Sequence, residues 1–224
     1  MTTTLAHRQS GHIGIDESGK GDYFGPLVIA GVYVAPEQED LLRSLGVRDS
    51  KALSDNRAIA LAAQIRDLCL YTVVAIGPER YNSLQASLKN LNRLLAWGHA
   101  RAIENLLEKV ACETVIADQF GDERFLKHAL MAKGQSVMLI QKPRAEEELA
   151  VAAASIIARA EFLRRLQELS KQYGVTLPKG ASSAVITAGR AFIQRHGADT
   201  LSRVAKLHFR TTVSVLNNSA PELS

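Results

Sequence analysis

The sequence predicts an α/β fold, in which a β-sheet carries helices on both of its faces. Segments of β-type residues alternate along the chain with segments whose apolar residues recur at helical spacing. One long helical segment begins with an almost unbroken run of small apolar residues, 149–158, as expected for a helix that lies close against a sheet. No repeat, low-complexity tract or long Pro/Gly/Ser linker interrupts the 224 residues. We therefore predict a single domain over residues 12–216, with flexible ends at 1–11 and 217–224.

Three strands and one helix are predicted in the N-terminal third. The segment that begins at His12 alternates and runs into a glycine cluster, and the next β-type run is nearly continuous, so the two form a strand pair joined by the loop 18–26. Ser54 is expected to cap a helix that continues to about Leu68. The predicted strands are residues 12–16, 27–34 and 70–76.

The remainder of the chain alternates helices with two more strands. Ser182 or Ser183 is expected to cap the last of these helices, which ends near Gly197. The predicted helices are residues 78–109 in two pieces, 122–132, 146–172 and 183–197, and the predicted strands are 113–118 and 136–140.

Charge is unevenly distributed along the chain. The net charge is +4, but residues 159–210 alone carry ten Lys and Arg against three acids, a net of +7, which leaves −3 for the rest. A basic segment beside an acidic remainder suits a polyanion that one part holds and another part works on. The same charge pattern is also compatible with a more ordinary interpretation, a basic helix face exposed to solvent.

Signals for membranes, export and zinc are missing from the sequence. No apolar run approaches the roughly 18 residues that cross a bilayer, and the first ten residues lack the apolar stretch of a secretory signal. A soluble, cytoplasmic protein is therefore expected. Cys69 and Cys112 are the only cysteines, and without the paired spacing of a zinc site they are expected to be buried free thiols.

Several other side chains have a structural interpretation. Trp97 and His99 lie in a half-apolar helical stretch, so both are expected in the core, with a hydrogen bond to the histidine. Tyr23 and Phe24 are expected to pack beneath the glycine-rich loop rather than to touch a substrate.

Acidic residues stand where the predicted sheet would bring them together. Asp16 and Glu17 close the first strand, and Asp118 closes the fourth after an apolar run. Glu146 and the two glutamates after it open the long helix that follows the fifth strand. Sites in open α/β sheets form beyond strand ends and at helix starts, so these carboxylates are expected to converge.

A converging set of carboxylates predicts a divalent metal site. Such groups repel one another unless cations neutralise them. An oxygen-rich cluster without His or Cys selects hard ions such as Mg²⁺ or Mn²⁺, and pairs of these ions serve in-line phosphoryl displacement. Adjacent strand residues face opposite ways, so Asp16 and Glu17 are expected to share a site only if the backbone breaks near Gly19 and Gly21.

Acids at strand ends and helix starts also have a structural explanation, because they cap helices and favour the helix dipole. On that interpretation Asp118 has only such a structural role and Glu147 is a solvated first-turn acid. An Asp-Glu pair inside a glycine-rich loop is harder to explain in this way. The segment 14–21 nearly matches the phosphate loop GxxxxGK[ST], yet Gly21 stands where Ser or Thr would hold magnesium. The two acids of that loop would also repel phosphates, so an NTPase is disfavoured.

The segment Gly14-Ile-Asp-Glu-Ser-Gly-Lys-Gly-Asp-Tyr-Phe-Gly-Pro26 resembles the signature of the type 2 ribonucleases H, and its second half is similar to the ribonuclease HIII group. The resemblance covers the chain from about His12 to Arg210. Further matching motifs are Asp49-Ser-Lys51, Tyr81-Asn82, the stretch from Asn90 to Ala100, Asp118-Gln-Phe120, the stretch from Ala152 to Arg159, Leu177-Pro-Lys-Gly180 and Lys206-Leu-His-Phe209.

The resemblance implies a fold, a catalytic quartet and an activity. The fold is ribonuclease H-like, a five-stranded mixed sheet flanked by helices, with a helical C-terminal part. The implied activity is two-metal hydrolysis of the RNA strand of RNA–DNA hybrids with Mg²⁺ or Mn²⁺, leaving 5′-phosphate and 3′-hydroxyl ends. The quartet of catalytic metal ligands corresponds to Asp16, Glu17, Asp118 and Glu146, of which the two aspartates are expected to bridge the ions. Glu147 is the alternate for the fourth position, because the spacing to Ser155 departs by one residue from the family pattern.

The resemblance also implies how the substrate is bound. The loop Gly19-Lys20-Gly21 matches the family element that reads the 2′-hydroxyl of RNA with backbone groups, and glycines let the main chain approach a sugar closely. Lys51 and Lys179 are expected phosphate contacts. Weaker candidates for such contacts are Lys206, His208 and Arg210. The expected partner is an RNA–DNA hybrid, bound by a monomer that needs neither a membrane nor an organic cofactor.

Two departures from the family pattern bear on the substrate. Ribonucleases HIII normally carry an N-terminal substrate-binding domain, whereas about eleven residues precede the first strand here, so weaker or more salt-sensitive binding is expected unless the basic segment compensates. Ribonucleases HII place a Tyr after the Lys-Gly that matches Lys179-Gly180, where it senses the RNA–DNA junction, and this chain has Ala181. Cleavage within runs of ribonucleotides is therefore expected, with poor incision at a single embedded ribonucleotide.

Three rival functions are weighed against this expectation. The first is a ribonuclease HII-like enzyme that incises at single ribonucleotides, which Ala181 disfavours. The second is a non-catalytic hybrid-binding module, which the retained Asp16, Glu17 and Asp118 disfavour. The third is an unrelated structural or oligomerisation protein, for which the basic segment and the acidic glycine loop would be coincidences.

Overall fold

The computed structural model describes residues 11–47 and 53–217, which form a five-stranded sheet in the order β3-β2-β1-β4-β5. The strands are β1 His12–Ser18, β2 Leu27–Val34, β3 Leu70–Ile76, β4 Thr114–Asp118 and β5 Met138–Lys142. β1 runs antiparallel to β2, as β2 does to β3, whereas β1 and β4 are parallel, as are β4 and β5. The expected mixed sheet of five strands is therefore confirmed.

Helices cover both faces of this sheet and form most of the C-terminal part. They are α1 Glu39–Ser44, α2 Asp55–Leu68, α3 Pro78–Leu88, α4 Leu91–Leu107, α5 Arg124–Ala129, α6 Leu149–Tyr173, α7 Ser183–His196 and α8 Thr211–Leu216. Ser54 caps α2 as predicted, since its side chain accepts a hydrogen bond from the Arg57 amide. None of the helices that the structure describes is long and apolar enough to cross a membrane.

The sheet divides the core into two layers. On one face α6 and α2 bury a cluster that includes Val28, Ala30 and Leu61. On the other face α4 packs against Ile13, Ile15 and other side chains of β1 and β2. Because alternate residues of a strand point to opposite faces, β1 contributes Ile13 and Ile15 to the layer beneath α4 and lies against α6 with its other face.

β1 and α6 approach each other more closely than any side chain between them would allow. A Cβ atom built on Gly14 would lie 2.1 Å from the carbonyl carbon of Ala150 and 2.2 Å from the amide nitrogen of Val151. The facing part of α6 is correspondingly small, with Ala150, Ala153 and Ala154 completely buried. The run of small residues that predicted a closely packed helix is therefore the surface on which β1 rests.

The glycine-rich loop between β1 and β2 is held in place by the C-terminal part of the chain. The Gly25 amide donates to Val204 O (2.9 Å), and Phe24 forms an isolated antiparallel bridge with Ala205. Tyr23 and Phe24 are completely buried, which confirms that they pack beneath the loop. The loop cannot be placed by its own sequence, because these contacts come from residues about 180 positions further along.

Lys206 also belongs to this anchor, and the expectation that it contacts phosphate is wrong. Its side chain is completely buried, and Nζ donates to the carbonyl oxygen of Asp22 (2.7 Å). Burial lowers the pKa of Lys206 to about 7, an effect that the nearby Asp22 carboxylate only partly opposes. Lys206 therefore supports the loop from within.

Several predicted boundaries shift for local reasons. The predicted helix 122–132 shortens to α5, because the Asp122 carboxylate accepts from the Arg124 amide (2.9 Å) and holds the chain before the helix. The fifth strand begins at Met138 rather than Ser136, which lies in a 3-10 turn with its hydroxyl bonded to Lys133 O (2.7 Å). Trp97 was expected in the core but is 39% exposed on α4, a helix whose other side meets the sheet.

Cys69 is a buried free thiol as expected, and Cys112 is free but only half-buried. Residues 1–10 and 218–224, which include nearly all of the predicted flexible ends, lie outside the described residues, as does Lys51.

Replacing Gly14 with Ala tests the contact between β1 and α6. The added methyl group would meet backbone atoms that cannot rotate away, so we expect the free energy of unfolding to fall by about 3 kcal/mol or more. Chemical denaturation of the purified variant measures this. Gly77→Ala is the matched control, since Gly77 has a φ of −62° and no atom within 4 Å of its built Cβ. That change should cost less than about 1 kcal/mol, and equal losses in both variants would contradict the close-contact explanation.

Candidate active site

Four carboxylates line one cavity at the end of the sheet where parallel β1 and β4 finish side by side. The ladder between these strands ends at the pair Ile15 and Ala117, so Asp16 and Asp118 are the next residues on each strand. The side chains there surround a cavity of about 440 Å³. The residues that line it are Asp16, Glu17, Ser18, Asp118, Glu146, Ser155 and Arg159. The expected convergence of Asp16, Glu17, Asp118 and Glu146 is thus present in the geometry.

Asp16 and Glu17 reach the same cavity from opposite faces of an unbroken strand. β1 continues to Ser18 and stays paired with β2, so the expected backbone break is absent. Asp16 points toward α6, where it accepts a hydrogen bond from Ser155, and Glu17 points toward α4, where it contacts His99. Both carboxylates reach the cavity because β1 runs past its last pair with β4, which leaves that side of the strand uncovered.

The Asp16 carboxyl group lies in an environment that disfavours a negative charge. Burial, reinforced by repulsion from Glu17 and Asp118, raises the pKa of Asp16 to about 7. Hydrogen bonds from Ser155 and from the backbone amide of Glu17 (2.8 Å) oppose this shift without cancelling it. A nearby cation would lower this pKa and favour the ionised carboxylate.

Glu17 is stabilised as an anion by neighbouring donors. Burial alone would raise its pKa, but the hydrogen bond and charge of His99 and the ammonium of Lys20 outweigh burial and lower it. The distances are 3.0 Å from Oε2 to His99 Nε2 and 3.4 Å from Oε1 to Lys20 Nζ. The two adjacent carboxylates therefore differ in pKa, because the surroundings of Asp16 disfavour its ionised form and those of Glu17 favour it.

His99 fixes the orientation of Glu17 from inside the core. Its side chain is completely buried, and its ring meets the Phe120 ring edge to face at 4.8 Å. An ionised carboxylate can only accept, so we assign a proton to Nε2, which donates to Glu17, and Nδ1 has no hydrogen-bond partner among the described residues. The sequence correctly predicted a buried, hydrogen-bonded histidine, but its partner is a residue of the candidate site.

Asp118 and Glu146 are brought together by a short turn before α6. The Asp118 carboxylate accepts a hydrogen bond from the Ala145 amide (3.1 Å), which ties the end of β4 to the 3-10 turn Ala145–Glu147. Glu146 therefore precedes α6 instead of opening it as predicted, because Glu148 is extended and the helix starts at Leu149. Glu146 lines the cavity, whereas the alternate, Glu147, is exposed and does not.

The donor set suits hard divalent cations, although the side chains do not yet form a chelate. Carboxylate and hydroxyl oxygens line the cavity, and these are the ligands that Mg²⁺ and Mn²⁺ prefer. Within residues 11–47 and 53–217, no three His, Cys, Asp or Glu side chains stand close enough together to hold an ion as they are placed.

The expected substrate-binding residues are only partly beside the cavity. Gly19 has a φ of +87°, and a Cβ built on it would lie 2.3 Å from Pro26 O, so the loop requires glycine there. Lys20 contacts Glu17, and Gly21 is exposed with open space around it. Lys179 is exposed but is bonded to the Asp55 carboxylate. These placements leave the loop accessible to a ligand and give Lys179 an unforeseen partner.

Two residues of α6 that line the cavity were not assigned a role by the sequence analysis. Ser155 and Arg159 are four residues apart and therefore occupy one face of the helix. A polar pair at this spacing, within a helix segment that is otherwise small and apolar, was the available signal. It identifies the face of α6 that borders the site.

Comparison with known proteins agrees with this geometry. The family model described as Ribonuclease HII matches residues 13–212. The chain is 52% identical over 205 residues to Ribonuclease HIII of Protochlamydia amoebophila, covering 92% of this chain and 68% of that one. It is similar to the crystal structure of Bst-RNase HIII in complex with Mn²⁺, with a TM-score of 0.86, 34% identity and coverage of 92% and 69% of the two chains. It is also similar to Aquifex aeolicus RNase H3, with a TM-score of 0.73, 32% identity and coverage of 89% and 72%. Since the match spans nearly all of the sheet and the helices around the cavity, the chain belongs to the type 2 ribonuclease H family and is ribonuclease HIII-like.

Proposed function

We propose that this protein is a metal-dependent endonuclease that hydrolyses the RNA strand of RNA–DNA hybrids. One observation carries the proposal: four carboxylates from three segments of the chain line a single cavity at the ends of β1 and β4, in a member of a ribonuclease family. Related proteins are named Ribonuclease HIII, and one of them has been solved with Mn²⁺.

Two divalent ions, Mg²⁺ or Mn²⁺, are the proposed cofactors. The residues that would hold them are Asp16, Glu17, Asp118 and Glu146. When bound, such ions make water a stronger nucleophile and neutralise the oxygen that leaves the phosphate. Burial and the neighbouring acids Glu17 and Asp118 disfavour the negative charge of Asp16, and a cation held between these carboxylates would offset both effects.

The protein's own groups orient these ligands before any ion arrives. Ser155 and the Glu17 amide hold Asp16, His99 holds Glu17, and the Ala145 amide holds Asp118. Fixed ligands reduce the reorganisation that the reaction requires. We propose that the scissile phosphate lies over this cavity and that cleavage leaves a 5′-phosphate and a 3′-hydroxyl.

Recognition of RNA is proposed to come from the glycine-rich loop. Gly21 is exposed with open space where a side chain would be, so a sugar can approach the main chain there. Backbone N–H and C=O groups can bond a 2′-hydroxyl, the group that distinguishes RNA from DNA. Lys20 and Lys179 lie on the segments expected to contact the strand. A monomer that acts in the cytoplasm without an organic cofactor also stays a prediction.

Asp16→Asn and Asp118→Asn each test the metal-ligand assignment. Each change removes a charge needed to hold the ions, so we expect cleavage of a labelled hybrid to fall by roughly 10³-fold or more while the hybrid is still bound. Binding is expected to persist or strengthen, because a negative charge facing the phosphates is lost. Gel assays of cleavage and fluorescence anisotropy of binding measure the two effects. Activity near the wild-type level in either variant would reject the assignment.

Glu146→Gln and Glu147→Gln form a matched pair that identifies the fourth carboxylate. Only Glu146 lines the cavity, and its exposed neighbour has the same charge and lies in the same turn. We expect Glu146→Gln to lower kcat by about 10²-fold and Glu147→Gln to change it less than about twofold. Steady-state kinetics at saturating Mg²⁺ decide between them, and the reverse order would make Glu147 the ligand.

The substrate preference is tested with two duplexes in one assay. Ala181 is exposed and offers no aromatic ring or hydroxyl to an RNA–DNA junction. We therefore expect a hybrid with a run of ribonucleotides to be cut at least about tenfold faster than a DNA duplex with one embedded ribonucleotide. Equal or faster cutting of the second duplex would favour the ribonuclease HII-like alternative. Binding of the hybrid without cleavage of either duplex, with Mg²⁺ or Mn²⁺ present, would favour the non-catalytic module.

A further inference from the structure

Asp55 joins two cations that come from distant parts of the chain. It is the first residue of α2, and its two carboxylate oxygens accept from different partners. Oδ1 accepts from Arg159 Nη2 of α6 at 2.7 Å, and Oδ2 accepts from Lys179 Nζ of the following loop at 2.5 Å. The sequence separations are 104 and 124 residues, so only the tertiary fold produces this cluster.

The cluster borders the carboxylate cavity. Arg159 is one of the residues that line the cavity, and Asp55 therefore connects the cavity wall to Lys179. All three side chains are partly open to solvent, with 35% of Asp55, 24% of Arg159 and 48% of Lys179 exposed. Two positive charges against one negative charge leave these three side chains with a net charge of +1, beside the cavity that Arg159 lines.

Asp55 is an anion in this environment, which both contacts require. Burial would raise its pKa, but the hydrogen bonds and charges of Lys179 and Arg159 outweigh burial and lower it. Exposed ion pairs of this kind add little to stability, because solvent screens them and the side chains lose freedom. An arrangement that contributes little to folding but fixes two long cationic side chains at a candidate active site is better explained by ligand binding.

We infer that Asp55 is a positioning residue that holds Arg159 and Lys179 together beside the cavity, so that they receive one backbone phosphate of the bound strand. This inference rests on the proposed function and adds to it the phosphate next to the one that is cut. The Lys179 ammonium has three N–H donors, and one of them donates to Asp55. An incoming phosphate can therefore bind Lys179 while its bond to Asp55 is kept. The arrangement removes much of the entropy that two mobile side chains would otherwise lose on binding.

The alternative is that Asp55 only occupies the position of a phosphate and competes with it. The two possibilities predict opposite signs for Asp55→Asn. Loss of a negative charge near a polyanion strengthens binding if Asp55 competes. If Asp55 positions the two cations, binding weakens even though the net charge of the protein has become more positive.

The experiment measures hybrid binding by fluorescence anisotropy in EDTA, over a series of salt concentrations, for the full chain. We expect Asp55→Asn to raise the Kd roughly tenfold and to lower the slope of log Kd against log salt by about one phosphate contact. Asp55→Glu, which keeps the charge, should recover part of the loss. In cleavage assays with Mg²⁺, Asp55→Asn should raise KM with little effect on kcat. Unchanged or tighter binding by a folded Asp55→Asn protein overturns the inference.

Glu79→Gln is the matched control. Glu79 is also a first-turn acid of a helix and faces an arginine, Arg203, at 3.8 Å, but neither residue lines the carboxylate cavity. Like Asp55→Asn, the control removes one negative charge from the first turn of a helix. Its Kd for the hybrid should therefore stay within about twofold of wild type or decrease. An increase in Kd equal to that of Asp55→Asn would show a general effect of helix-start acids and would overturn the inference.

A double-mutant cycle guards against a purely structural effect. If Asp55 acts through Lys179, Asp55→Asn should have a smaller effect on Kd in a Lys179→Met background than in the wild type. Full additivity, with thermal unfolding showing all variants folded, would contradict the inference. Cleavage of hybrids by the wild-type protein tests the proposed function separately, because a protein that cuts hybrids but binds them independently of Asp55 fails only the inference.

Discussion

β1 and α6 are in backbone contact at Gly14, and the candidate site depends on that contact. With no side chain between them, the strand rests directly on the helix near Ala150. Asp16, two residues further along on the same face of β1, then comes within hydrogen-bond reach of Ser155 one turn further along α6. A thicker layer between strand and helix would move Asp16 away from the helix face that also carries Arg159. Close packing here decides where a charge is placed.

In the candidate site, burial disfavours ionisation of the carboxylates and neighbouring hydrogen-bond donors and cations favour it. Glu17 has His99 and Lys20 as partners, and its pKa falls, whereas burial outweighs the hydroxyl and amide donors of Asp16, and its pKa rises. This difference arises because β1 sends consecutive carboxylates to opposite faces of the sheet, toward helices with different side chains. The surroundings thus stabilise one carboxylate as an anion and disfavour the negative charge of its neighbour.

Cations around the cavity are organised by contacts that span the whole chain. Asp55 joins Arg159 and Lys179, and the next residue after that lysine, Gly180, donates its amide to Asp22 Oδ1 (2.6 Å) in the glycine-rich loop. The Tyr23 amide in turn donates to Gly180 O (2.9 Å). The loop proposed to read the 2′-hydroxyl and the segment proposed to bind phosphate are therefore one connected unit. Movement of either is expected to move the other.

The sequence by itself predicted the order of the elements and the carboxylates of the candidate site. Alternation and helical spacing located the strands and most helices, since these patterns reflect which face of each element is buried. The motif around Asp16 and Glu17 and the acid closing β4 identified the carboxylates, because strand ends are where an α/β sheet presents side chains. Family resemblance selected Glu146 from the three consecutive glutamates, and the structure places it in the cavity lining while Glu147 stays outside.

Only the tertiary structure decided which partners these residues meet. It showed that Asp16 and Glu17 share a cavity without a backbone break, because β1 extends past its pairing with β4. It turned Lys206 from a phosphate candidate into a buried support, and it paired His99 with Glu17 and Asp55 with two distant cations. Hydrogen bonds and desolvation depend on atoms brought together from remote positions in the chain, and local sequence patterns carry no record of those distances.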